Sequence, residues 1–142
     1  MRDCVFDFRG WFAVVTGASG VIGGGFAEAL IEAGANVAMS YNGNPAPVEA
    51  RIARHAGNGR MLRGYKVNAM HPEEIAANAE AVMRDFGRID MLVNCAGGHL
   101  KGSISDGGTT FFDLDPLVCA DAMSRRQCDN MVYAQRKNVL AA

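Results

Sequence analysis

Gly17, Gly20, Gly23, Gly24 and Gly25 crowd the stretch VVTGASGVIGGG, where a hydrophobic run gives way to a helical pattern. A turn of this kind can cradle a pyrophosphate. The N–H groups at a helix N-terminus have no partners within the helix, and the helix dipole favours negative charge there. For a phosphate to reach them, the backbone must come within hydrogen-bonding distance, where a Cβ would intrude. Gly17 would make the turn, Gly20 would permit the approach, and Gly23 would let the helix pack on the strand before it. Ser19, Val21 and Ile22 complete the loop. A second stretch, VYAQRK, holds Tyr133 and Lys137 four residues apart, on one face if the segment is helical. Metal chemistry is not indicated: Cys4, Cys95, Cys119 and Cys128 show neither CxxC nor Cys/His ligand spacing.

The elements that would position the glycine turn alternate regularly. FAVVTG, Phe12 to Gly17, is a short continuous apolar run, as expected of a strand buried on both faces. Val21, Ile22, Phe26, Leu30 and Ala33 then recur at helical spacing, and Gly34 stops the helix. NVAMSY reads as a second strand. Pro45 and Pro47 open a helical stretch over Val48 to Ala56, and MLRGYKVN reads as a third strand despite Gly64. Pro72 at a first helical position, with Glu73 and Glu74 beside it, starts a helix whose Ile75, Ala79, Val82, Met83 and Phe86 share a face. Gly87 ends it, and IDMLVNCAGG is a fourth buried strand. This βαβαβαβ order predicts a parallel sheet with helices on both faces and a ligand site beyond the carboxyl ends of the strands. After Gly98 the composition becomes that of a loop, followed by FFDLDP and a polar helical tail. Residues 1–116 therefore read as a dinucleotide-binding half and 117–142 as an atypical helical tail.

With these motifs in place, the chain resembles the short-chain dehydrogenase/reductase family. The family's TGxxxGxG reads Thr16-Gly17-Ala18-Ser19-Gly20-Val21-Ile22-Gly23, with the middle glycine one position early and Val21 in its usual place. The family's N-A/C-A-G at the end of strand four is Asn94-Cys95-Ala96-Gly97. FDFRG, AGGHLKG and TFFDLDP are similar to the fructuronate reductase (D-mannonate oxidoreductase) branch, and the resemblance runs from Phe6 to Pro116. It implies a Rossmann-like, doubly wound parallel sheet truncated after the fourth strand, with a nicotinamide dinucleotide as its partner. It also implies that Asn94, Ala96 and Gly97 steady the central sheet and line the nicotinamide ribose. A carboxylate at the end of strand two would select NAD; here Tyr41 and Asn42 stand there, without an acid. NADP(H) is therefore favoured over NAD(H), although no Arg or Lys is close in sequence. Asn68 stands where the family has an adenine-contacting Asp, and equally suits a turn before the third helix.

Family chemistry implies a tyrosine acid/base, a lysine that lowers its pKa, and a serine upstream. Tyr133 and Lys137 match Y-x-x-x-K, but Ala120 and Asp121 stand where the serine would fall, and Ser124 is too close. At about 30 residues per βαβ unit, 142 residues do not hold both halves of the doubly wound fold. Two readings follow. One is an NAD(P)-dependent oxidoreductase of a sugar acid or polyol carbonyl; the other is a catalytically inactive NAD(P)-binding fragment. Strand four would then present an open hydrophobic edge, which favours association with another copy. A formal net charge of -1 offers no field for nucleic acid or a membrane surface. No apolar run approaches a membrane span, MRDCVFDFRG lacks a signal-peptide core, and the cysteines suit a reducing cytoplasm. His55 and His71 read as surface positions beside helix ends.

Overall fold

A computed structural model describes residues 6–96. The order is β1 (Phe12–Thr16), α1 (Val21–Glu32), β2 (Asn36–Tyr41), α2 (Ala46–Arg54), β3 (Leu62–Lys66), α3 (Pro72–Phe86) and β4 (Met91–Asn94). All strand pairs are parallel, and the sheet runs β3-β2-β1-β4. The chain thus builds outward from β1 through β2 to β3, then returns to the other side of β1. That reversal puts a crevice beyond the carboxyl ends of β1 and β4, where an open α/β sheet binds its ligand.

Alternate side chains of the strands feed two cores. Ala13, Val15, Val37 and Met39 meet Ala27, Leu30 and Ile31 of α1 and Val48 of α2. Val14 and Ala38 point the other way, onto Ala79, Val82, Met83 and Phe86 of α3. Burial on both faces is why β1 and β2 read as unbroken apolar runs. A fully buried Ile31 or Met39 contributes about 1.5–3 kcal/mol.

The apolar stripe expected to bury α1 is not its buried face. Of the apolar stripe on α1, only Leu30 and Ala33 are buried; Val21 is 95% exposed, Ile22 71% and Phe26 50%. α1 instead approaches the sheet through Gly23, Gly24 and Ala27, with Leu30 and Ile31 further along. Small residues let the helix come close, and closeness decides which face is buried.

α2 starts at Ala46 rather than Val48, because Asn44 Oδ1 accepts the Ala46 N–H at 3.0 Å and so fixes the entry to the helix. Gly64 belongs in β3: a Cβ there would lie 3.0 Å from Val48 Cγ1, so glycine lets α2 settle on that strand. Arg63 and Lys66 line this outer strand, whose charges discourage pairing with another chain. The change of character at residue 116 and the tail 117–142 lie outside the described residues.

Candidate functional site

β1 ends at Thr16, and Gly17 turns the chain with φ +65°. A Cβ on Gly17 would sit 2.6 Å from the Cys95 carbonyl oxygen, so the turn and the segment after β4 meet with no room for a side chain. A Cβ on Gly23 would run into the Gly17 carbonyl oxygen. The Gly20 N–H closes the turn on Gly17 O at 3.0 Å, and the Ala18 N–H ties it to Ser40 O of β2 at 2.8 Å. Gly20 is the N-cap of α1, without a capping side-chain hydrogen bond and without an acid in the first turn. The first N–H groups of α1 therefore meet no side-chain acceptor, and the dipole's positive end is left unneutralised. Val21 and Ile22 form an exposed rim, and Ser19 is half-buried beside them. This geometry fits a pyrophosphate: a cradle that a Cβ would fill, ending on amide donors.

Thr16, the threonine that opens the glycine motif, holds the two halves of the site together. Its buried Oγ1 accepts the N–H groups of Cys95 and Ala96, each at 3.0 Å. Asn94 lies in register with Thr16 and is exposed, so the turn, Asn94 and Ala96 share one end of the sheet. In the sequence Thr16 shows as the first residue of the glycine motif and as a hydroxyl closing an otherwise apolar strand, but its partners do not show.

Tyr41 is half-buried, packs against the core beneath α1 and α2, and accepts the Val67 N–H on its carbonyl at 2.8 Å. Asn42 is exposed at the end of β2. Asn68 forms a turn: its Oδ1 accepts the Met70 N–H at 3.0 Å, and its own N–H donates to Glu74 Oε2 at 2.8 Å. The Asn68 carboxamide oxygen is thus engaged locally, as expected of a turn residue before α3. Gly97, Tyr133 and Lys137 lie outside the described residues. Tyr65 is no substitute for Tyr133: burial and the Asp85 carboxylate, which accepts its hydroxyl at 2.9 Å, push its phenol above the usual range.

A charged cluster backs the glycine turn. Glu28 of α1 accepts Arg51 Nε at 2.9 Å and Arg54 Nη1 at 3.3 Å, both from α2, and lies 2.6 Å from His55 Nε2 just after it. Burial pushes the Glu28 carboxyl up, but the His55 and Arg51 hydrogen bonds outweigh it and hold it below its ordinary value. His55, expected at the surface, is largely covered because it closes this cluster. Arg51 also donates from Nη1 to the Ala18 carbonyl at 3.2 Å. A cation does stand beside the turn, brought there from far along the chain. Among the described residues, no group of three or more His, Cys, Asp or Glu side chains is placed to hold a metal, and no helix is long and apolar enough to cross a membrane.

Known proteins are similar to this chain in sequence and fold. A sorbose reductase from Candida albicans is 39% identical over 93 residues, which is 66% of this chain and 33% of that protein. A 2-dehydro-3-deoxy-D-gluconate 5-dehydrogenase from Formosa agariphila is 32% identical over 140 residues, 96% of this chain and 53% of its own. A short chain dehydrogenase from Burkholderia cenocepacia, solved in complex with NADP, superposes with a TM-score of 0.71 at 28% identity, over 92% of this chain and 51% of that one. The chain spans about half, or less, of the length of these relatives. The family model for short chain dehydrogenases matches residues 12–113, and with the Gly17 turn locked to the end of β4 the chain belongs to the short-chain dehydrogenase family.

Proposed function

We propose that the chain binds NADP(H) at the glycine turn and serves an oxidoreductase that acts on the hydroxyl or carbonyl of a polyol or sugar acid. One observation carries this reading: Gly17, Gly20 and Gly23 leave a side-chain-free cradle that ends on the uncapped N-terminus of α1. The amides of α1's first turn would hold the pyrophosphate, Asn42 the adenosine ribose, Asn68 the adenine, and Asn94 with Ala96 and Gly97 the nicotinamide side. The absence of a carboxylate at Tyr41-Asn42 supports NADP(H) over NAD(H). The nicotinamide, when bound, supplies or accepts the hydride. Tyr133 would hold the proton at its hydroxyl, with Lys137 lowering that phenol's pKa. A sugar-type substrate agrees with the sorbose and deoxygluconate relatives, and FDFRG, AGGHLKG and TFFDLDP support the sugar-acid branch. A second reading, nucleotide binding without catalysis by this chain, is favoured by Ala120 and Asp121 at the serine positions.

Fluorescence titration with NADPH and, in parallel, NADH tests the binding. Saturable binding, tighter for NADPH, is expected. Val21→Asp changes a 95% exposed side chain and sets a carboxylate against the phosphate, so it should abolish binding without lowering the thermal midpoint. A folded chain that binds neither nucleotide would overturn the reading. If NADPH binds, loss of sugar-acid or polyol turnover in Tyr133→Phe separates the two readings, since an inactive binder shows no turnover to lose.

A further inference from the structure

We propose that Arg51 is a positioning residue for the nucleotide: its guanidinium fixes the Ala18–Ser19 peptide of the glycine turn in the orientation that receives phosphate. The inference rests on the NADP(H)-binding reading above and names a residue that the glycine motif does not contain.

The guanidinium is held on two edges. Nε donates to Glu28 Oε2 at 2.9 Å, and Nη1 donates to the Ala18 carbonyl oxygen at 3.2 Å. Its side chain is only 15% exposed, so water competes little for these donors. Nη2 lies where a Cβ on Gly24 would come within 2.7 Å, which accounts for a glycine inside α1 at a position outside the turn. Three features therefore converge on one planar group: an anchoring carboxylate, a loop carbonyl and a helix position emptied to admit it. A lysine ammonium lacks the rigid planar fork that lets one group reach the carboxylate and the carbonyl from fixed edges.

The consequence for the turn follows from peptide geometry. No described peptide bond is cis, and a trans peptide directs its C=O and N–H to opposite sides. Tying down the Ala18 carbonyl thus fixes the direction of the Ser19 N–H, just ahead of the N-cap Gly20. The Ala18 N–H is tied to Ser40 O at 2.8 Å, so both peptide planes flanking Ala18 are set before any ligand arrives. Pre-set donors of this kind cost no ordering when the anion binds.

The test is NADPH fluorescence titration of the full chain, with thermal midpoints measured alongside. Arg51→Met keeps the aliphatic stem and should weaken NADPH binding about tenfold; Arg51→Lys should recover part of that loss. Gly24→Ala should weaken binding in the native background by displacing the guanidinium. In the Arg51→Met background it should cost clearly less than in the native one, because the guanidinium 2.7 Å from that Cβ is gone and only the Ala18 carbonyl, at 3.3 Å, still presses on it. An Arg51→Met protein that binds NADPH as the native chain does, with only a lower midpoint, would overturn the proposal and leave Arg51 a strut between α1 and α2. Equal losses from Gly24→Ala in both backgrounds would also overturn it. A native chain that binds no NADPH defeats the binding reading itself, and this inference with it.

Discussion

A single methyl group separates two outcomes within three residues of α1. At Gly23 a Cβ would collide with the Gly17 carbonyl, while at Gly25 it would meet nothing within 4 Å. Gly23→Ala should therefore destabilise the fold by about 2–3 kcal/mol, in the range of forced overpacking, and remove nucleotide binding. Gly25→Ala should stabilise by about 0.5–1 kcal/mol, because an exposed helical glycine only costs backbone entropy. Urea denaturation of both variants checks this, and equal shifts would refute it. Thr16→Val keeps the shape of the side chain but leaves the Cys95 and Ala96 N–H groups without their acceptor, at a cost of about 2 kcal/mol. Amide exchange at those two residues should quicken in that variant. The glycines were legible in the sequence because a missing side chain is itself a mark of close approach. Thr16 was legible as the start of the motif but its contact was not, and Arg51 was not legible at all: their partners lie 80 and 33 residues away, and nothing local announces the contact.

Helix docking depends on charge as well as on shape. Glu28 links α1 to α2, and its carboxyl is held below its ordinary value of 4.5 by the His55 and Arg51 hydrogen bonds, which outweigh its burial. A carboxyl depressed in the folded state contributes stability above its unfolded value, and that contribution is lost as the pH falls through the folded value. The native chain should accordingly lose stability below about pH 4.5, and Glu28→Gln should flatten that part of the curve. Thermal midpoints between pH 7 and pH 3 provide the check; parallel curves for both proteins would count against Glu28. Periodicity served α3 and failed α1. On α3 the residues of the apolar stripe, Ile75 to Phe86, are all buried. On α1 the count of apolar residues pointed to Val21, Ile22 and Phe26, but contact follows the face that can come nearest, and there the glycines win.

For the molecule as a whole, the alternation of apolar runs and periodic stretches was enough to specify a parallel sheet with helices on both faces. The β1 and β2 runs are buried on two sides, so their composition carried the fold openly, whereas β3 is largely exposed and β4, expected to be buried, is only partly covered among the described residues. Ligand binding should act on this whole: NADPH at a hundredfold excess over its Kd stabilises by about 2.7 kcal/mol, a rise in thermal midpoint on the order of 10 °C. A scan with and without NADPH measures it, and an unchanged midpoint contradicts binding to the folded state. The β3-β2-β1-β4 order also sets a schedule for the chain as it is made. β2 joins β1 early and β3 joins β2 next, but the other flank of β1 waits for Met91–Asn94, and closing a longer loop is slower. In refolding with pulsed amide labelling, β2 and β3 should be protected before Cys95 and Ala96; simultaneous protection would contradict this order. Until β4 arrives, Thr16 has nothing to hold and Gly17 has no wall against it. The glycine turn, written near the start of the chain, takes its working shape only after β4 is in place.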